Sequence, residues 1–248
     1  MPTVSAVSLP DHLAIDELPN RIAVVIDVLR ATTTIAHALD HGAACVLPVA
    51  SIDSARLIAH DRTGALLCGE RSGIRPEGFQ LGNSPLEYTT DHIANRDLVL
   101  TTTNGTRALH MCAHAHTILT GSITNLVSLC EQIRQSDQDI MLVCSGTDRR
   151  VSLEDCICAG LIAERLLGTF ELDDSASLMA HAAHGVIERS GGLGPAIASS
   201  FHAKRLEDLG FGRDVEYAAQ LNQTACVPCF DPGSGEIRPL PLPNATRG

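Results

Sequence analysis

The chain of 248 residues contains no Trp, and only two Tyr and five Phe. Base-stacking surfaces need aromatic faces, so a single-strand or base binder is not expected. Basic residues are also scarce relative to acids, and the formal charge is −11. Nucleic-acid binding rests on a basic face that neutralises phosphates, so no general nucleic-acid partner is expected, and any anion site must be local. No apolar run approaches the length that crosses a membrane, and no charged-then-apolar leader opens the chain. Nine cysteines lie mostly in apolar segments with no regular framework, which predicts reduced thiols and a cytoplasmic protein.

Several familiar signatures are missing as well. There is no Walker loop and no G-x-S-x-G elbow, since Val143 stands where Ser145 would need a Gly. Asp27-Val28-Leu29 lacks the second acid of a D-x-D strand end, and Asp137-Gln138-Asp139 precedes its strand. Cys226 and Cys229 form the lone C-x-x-C pair, too few ligands for a structural zinc. His110 and His114, spaced i and i+4 on a predicted helix, lack the Glu of H-E-x-x-H and read as a solvated face. His181 and His184 read the same way.

What remains is a small-molecule chemistry built on strand ends. Arg21 to Thr34, R-I-A-V-V-I-D-V-L-R-A-T-T-T, begins with a Val- and Ile-rich run typical of a strand buried on both faces. That strand ends on Asp27, with Arg30 three residues on and Thr32, Thr33 and Thr34 opening a helix that runs to about Leu39. An acid suited to a metal, a base suited to an anion and a polar helix start, at the edge where open α/β sheets bind ligands, point to phosphate chemistry. An ordinary helix cap beside a surface ion pair is the bland alternative.

Downstream, strands and helices alternate: strand Ala44 to Val49, helix Ser51 to His60, strand Ala65 to Cys68. This order predicts an α/β fold with parallel strands and right-handed crossovers. Gly69 to Tyr88 breaks the rhythm; its glycines and prolines exclude a regular element, and its apolar Ile74, Phe79 and Leu81 predict packing. Glu70 and Arg71 follow a strand as Asp27 and Arg30 do, and Asn83, Ser84 and Pro85 form a turn into a short helix. After strand Asp97 to Leu100 comes T-T-T-N-G-T-R-A-L, where Asn104 and Gly105 favour a nest of N–H groups and Thr106 is a candidate helix cap.

Strand His116 to Leu119, helix Asn125 to Arg134 and strand Asp139 to Cys144 lead into C-S-G-T-D-R-R-V-S-L-E-D. Ser152 and Asp155 resemble a capping pair on a helix to about Leu167, and Glu154 with Asp155 could instead hold a divalent cation. The same loop satisfies the C-x5-R spacing of cysteine phosphatases, with Cys144 as thiolate and Arg150 as oxygen ligand. From about residue 170 the chain becomes more helical, over Ser175 to Glu188, Gly194 to Leu209 and Asp214 to Leu221. Cys226 to Phe230 reads as a late strand and the Pro-rich end from Pro239 as extended or frayed. With no clear linker, residues 1–248 read as one domain.

Four stretches, V-V-I-D-V-L-R-A-T-T-T, G-E-R-S-G-I-R-P-E-G-F-Q-L-G-N-S-P-L-E-Y, T-T-T-N-G-T-R-A-L and C-S-G-T-D-R-R-V-S-L-E-D-C-I-C-A-G, taken in this order and spacing, resemble the 2-phosphosulfolactate phosphatase (ComB) family. The resemblance covers nearly the whole chain. It implies a three-layer α/β/α sandwich around a largely parallel or mixed sheet, and Mg2+-dependent hydrolysis of (2R)-2-phospho-3-sulfolactate to 3-sulfolactate and phosphate. In methanogens that step belongs to coenzyme M synthesis. A related phosphorylated, sulfonated or plain hydroxy acid is the alternative substrate.

On this reading Asp27, Glu70 and Arg30 are the catalytic candidates, and Asp27, Glu70, Glu154 and Asp155 the candidate ligands of Mg2+. Arg71, Thr32, Asn83, Asn104, Gly105, Thr106, Ser145 and Gly146 form the candidate substrate-binding set. The competing expectations are a covalent route through Cys144 and Arg150, and a non-catalytic binder of small anionic metabolites. A homodimer is the default assembly.

Overall fold

Val- and Ile-rich runs bounded by turn residues become strands, and in a computed structural model that describes residues 1–240 they join one ten-stranded sheet. In chain order the elements are β1 (Thr3–Val7), β2 (Arg21–Ile26), α1 (Ala31–Asp40), β3 (Cys45–Pro48), α2 (Ile52–Asp61), β4 (Leu66–Gly69), α3 (Thr90–Ile93) and β5 (Asp97–Thr101). Then follow α4 (Gly105–Met111), β6 (Thr117–Gly121), α5 (Leu126–Ile133), β7 (Asp139–Cys144), α6 (Leu153–Leu166), β8 (Glu171–Leu172) and α7 (Asp174–Ser190). The chain closes with α8 (Leu193–Ala198), α9 (Phe201–Asp208), α10 (Gly212–Ala218), β9 (Pro228–Asp231) and β10 (Glu236–Pro239).

The sheet order is β4-β5-β3-β10-β9-β6-β2-β7-β1-β8. Two parallel blocks, β4-β5-β3 and β6-β2-β7-β1-β8, are joined by the β9-β10 hairpin. Because β6-β9, β9-β10 and β10-β3 are all antiparallel, the two blocks run in opposite senses. Helices cover both faces, so the architecture is a three-layer α/β/α sandwich with a mixed sheet.

Alternation along the strands sorts side chains into separate cores. Val24, Ile26, Leu142 and Cys144 pack toward α6 and its neighbours, whereas Val25 and Val143 pack with Ile35, Leu39 and Leu109 of α1 and α4. That second cluster also takes Val46, Leu98 and Leu100 from the opposed block. Helices α1 and α4 therefore pack with strands of both blocks. Despite their opposite sense, residues that follow β2, β4 and β5 line one cleft.

Several sequence expectations are corrected. The span Gly194 to Leu209 is two helices, because the Ser200 hydroxyl accepts the Ala203 N–H at 3.1 Å and starts α9 afresh. Helix α4 stops at Met111, which leaves His114 outside the helix expected to carry both histidines. Ile74 is exposed, while Phe79 and Leu81 are buried as expected. The edge strand β8 is too short for any pattern to show. Strand β10 (Glu236–Pro239) occupies a stretch for which no element was expected, and residues 241–248 of the Pro-rich end lie outside the described residues.

Candidate active site

The end of β2 is held by its own threonine. The Thr32 hydroxyl accepts the Asp27 N–H at 3.0 Å and lies 2.7 Å from the Gly121 carbonyl, to which it donates. One Asp27 carboxylate oxygen accepts the Ala31 N–H at 3.2 Å. The other faces Gly105, where an added Cβ would fall 2.7 Å from it, so only glycine lets α4 approach this carboxylate.

Glu70 leaves the end of β4 and enters the same cleft. It accepts the Thr103 N–H at 2.8 Å, the Thr103 hydroxyl at 2.9 Å and the Gly73 N–H at 2.7 Å. Arg30 is almost fully buried and pairs with Asp214 of α10 at 2.7 Å, while a second nitrogen donates to the Gly73 carbonyl at 2.9 Å. The Phe211 ring lies 4.4 Å beneath the guanidinium. Asp214 also accepts the Ser84 hydroxyl at 2.6 Å.

Of the residues singled out from sequence, Asp27, Arg30, Glu70, Asn83 and Asn104 line one narrow cleft. Asn83 leaves its side-chain oxygen buried without a partner among the described residues, and the Asn104 oxygen accepts the Asp148 N–H at 3.3 Å. The others serve as supports. Arg71 is spent on the Glu70 and Ala50 carbonyls and the Thr101 hydroxyl. Thr106 turns to Thr102, donating to its carbonyl at 2.7 Å instead of capping α4.

Asp155, unlike Glu70, does not line the cleft. Its oxygens accept the Val28 N–H at 2.9 Å, the Gly146 N–H at 3.0 Å and the Ser145 hydroxyl at 3.2 Å, tying the ends of β2 and β7 together. Ser152 accordingly makes no side-chain cap on α6, and its hydroxyl pairs with that of Thr147. Glu154 is buried with one oxygen unpartnered and lines a neighbouring chamber, outside the cleft itself.

Carboxylates thus crowd a buried interior, and Arg30, the one buried guanidinium among the described residues, is already paired. Burial pushes the Asp27 carboxyl up to about 7, and the Glu70 and Glu154 charges add to the rise. Burial likewise drives Asp155 well above the usual carboxylate range, with Glu154 and Asp27 contributing, and raises Glu154. Among the described residues no three His, Cys, Asp or Glu side chains converge tightly enough to cage a metal unaided.

Cys144 corrects the covalent alternative. Its side chain is fully buried in the core beside Cys158 and Ile26, and it does not line the cleft. A hydrogen bond with Cys156 and burial push its thiol well above the ordinary value, the reverse of an activated nucleophile. Arg150 is exposed and opens on the neighbouring chamber, so the pair cannot act together at the cleft.

Sequence reasoning missed His202, Arg205 and Asp214, which reach the cleft from the C-terminal helices. Nothing in their local sequence marks them; only the docking of α9 and α10 over the end of β2 does. Burial, then Arg205 and Arg30, lowers the His202 pKa, and its Nδ1 has no partner among the described residues.

Fold and cleft together define a three-layer α/β protein with a carboxylate-lined cleft where opposed strand blocks meet. Residues 7–233 match the family model described as 2-phosphosulpholactate phosphatase, and the chain belongs to that family. It is 44% identical over 211 residues to a protein of Carboxydothermus hydrogenoformans, covering 84% of this chain and 86% of that one. It is 42% identical over 222 residues to one of Thermotoga maritima, covering 89% and 94% of the two chains. A Deinococcus radiodurans relative is 40% identical over 231 residues, covering 90% and 94%. All three are named probable 2-phosphosulfolactate phosphatase.

Proposed function

We propose that this chain is a Mg2+-dependent phosphoric monoester hydrolase that converts (2R)-2-phospho-3-sulfolactate to 3-sulfolactate and phosphate. The observation that carries the reading is the cleft itself, which Asp27 and Glu70, from opposed blocks, line together with Arg30. The names of relatives similar along most of the chain supply the substrate.

The donor set fits a hard cation. Oxygen ligands dominate, and the surplus of buried carboxylates over free positive charge favours an added cation. Mg2+ commonly takes only one or two carboxylates and completes its shell with water and phosphate oxygens, so a three-residue cage is not required. Asp27 and Glu70 would hold it, with Asp155 fixing the walls from behind. When bound, Mg2+ supplies charge neutralisation to the phosphoryl group.

The chain's own groups do the positioning. Arg30 has five N–H donors, of which Asp214 and Gly73 fix two nitrogens, and the remainder face the phosphoryl oxygens. Asn83 and Asn104 add neutral donors at the rim. Water attacks directly, since no thiolate reaches the cleft, and charge stabilisation by prepositioned groups supplies most of the rate. Phosphate release from a panel of phosphorylated 2-hydroxy acids, with and without a sulfonate and with and without Mg2+, tests this. Release from the sulfonated ester that chelator abolishes is the expected result; no release from any ester would refute it.

A further inference from the structure

The cleft at Asp27 has only about 30 Å³ of free volume, enough for little more than the phosphoryl group. Any substrate must extend out of it. Two chambers of about 510 Å³ each adjoin it and share its walls. One opens past Thr147, Asp148, His202 and Arg205, and the other past Thr102 and Thr103.

Charge separates the two. The chamber beyond Thr103 has one Arg, Arg107, and it is engaged by Asp11 at 2.7 Å. The chamber beyond Thr147 contains two, Arg205 and Arg150, beside two carboxylates, Asp148 and Glu154, of which Glu154 has its pKa raised by burial. Arg205 is engaged by Asp148 at 2.8 Å, whereas Arg150 has no carboxylate partner among the described residues.

Arg150 is also presented rigidly. Its backbone exchanges two 2.9 Å hydrogen bonds with Thr147, and Gly146, at φ +66°, lets the turn close so tightly that a Cβ there would meet the Arg150 carbonyl at 2.5 Å. Val151, Leu153 and Phe201 line one side of the chamber. The N-terminus of α6, at Ser152, completes the wall with a dipole that favours an anion.

Resting on the phosphatase reading above, we propose that the Thr147-to-Arg205 chamber is the subsite for the second acidic group of the substrate, with Arg150 as its specificity-determining cation. A second acid is repelled by the charge of Asp27 and Glu70, and among the described residues Arg150 is the one arginine lining either chamber that has no carboxylate partner. The substrate class is therefore a phosphate monoester bearing a sulfonate or carboxylate. The chamber's volume leaves the length of the connecting carbon chain loosely constrained, so charge rather than size selects.

The test compares 2-phospho-3-sulfolactate with p-nitrophenyl phosphate, which has no second acid, in the full-length protein with Mg2+. In Arg150→Ala the ratio of the two kcat/KM values should fall at least tenfold, and Arg150→Lys should recover part of it. A ratio within twofold of wild type overturns the proposal, as does the same fall in Arg107→Ala, which would place the tail in the other chamber. Binding of 3-sulfolactate by calorimetry decides the matter independently of turnover: Arg150→Ala should weaken it at least tenfold, and equal affinity overturns the subsite. If wild type releases no phosphate from either ester, the phosphatase reading fails and the 3-sulfolactate measurement still stands alone.

Discussion

Two adjacent strands, β2 and β7, end in chemically reactive residues, yet one side chain enters the cleft and the other the core. Ile26 pairs in register with Cys144, and both pack toward α6. Asp27 is one residue further on, so it has the opposite parity and turns to the ligand edge. Where Asp27 continues past its partner strand, the equivalent step on β7 is Ser145, whose N–H goes to the Ile26 carbonyl at 2.8 Å. A reactive residue at a strand end is thus only half a site. Its parity relative to the buried face decides whether solvent and substrate ever meet it.

That contrast is sharpest in turnover. Asp27→Asn is expected to lower phosphate release roughly 10² to 10⁴-fold, the range for losing one group that positions reacting charge, while circular dichroism stays unchanged. Wild-type release that persists after EDTA treatment would break the contrast from the metal side. Asp214→Ala should be the largest effect on stability, about 3–5 kcal/mol in a denaturant titration, because it strands the buried Arg30 charge. A loss below about 1 kcal/mol would show that Arg30 finds solvent instead.

The pH response of the metal-free protein should follow the raised Asp27 pKa. A carboxyl near 7 in the folded state, against 3.8 ordinarily, means that the folded protein binds a proton the unfolded chain has already lost. That stabilisation is complete below about 3.8 and disappears as pH rises through about 7, so the unfolding midpoint should drop between about pH 4 and about pH 7. Asp27→Asn should flatten part of this slope, leaving the share of Asp155 and Glu154, which are shifted in the same direction. The smallest effect belongs to β7. Cys144→Ser should cost about 1–3 kcal/mol of stability through a poorly matched buried hydroxyl, with turnover near wild type. Loss of turnover with stability intact would reinstate the thiol.

Most strands and the first helices were legible in the sequence, because buried strands of Val and Ile and Ser or Asp caps leave local patterns. Ser51 caps α2 by accepting the Ser54 N–H at 3.0 Å, as its place before the helix predicts. The hairpin of β9 and β10 was half visible, since Cys226 to Phe230 read as a strand while Glu236–Pro239 is a strand only through its partners β9 and β3. Asp27 and Glu70 stood out because each follows a strand directly, and Asn104 because Asn-Gly favours a nest of N–H groups. Arg71 stood out beside Glu70 and Thr106 as a candidate cap, but hydrogen bonds to the Ala50 carbonyl and to Thr102 turned them into supports.

By itself, the sequence determined the family, the α/β alternation and the strand-end acids, all of which depend on short-range order along the chain. Tertiary structure alone decided the opposed sense of the two blocks, the burial of Cys144, and the arrival of Asp214, His202 and Arg205 at the cleft. Those outcomes depend on which surfaces pack together across long separations, as when Arg30 meets Asp214, and no local pattern encodes such a meeting.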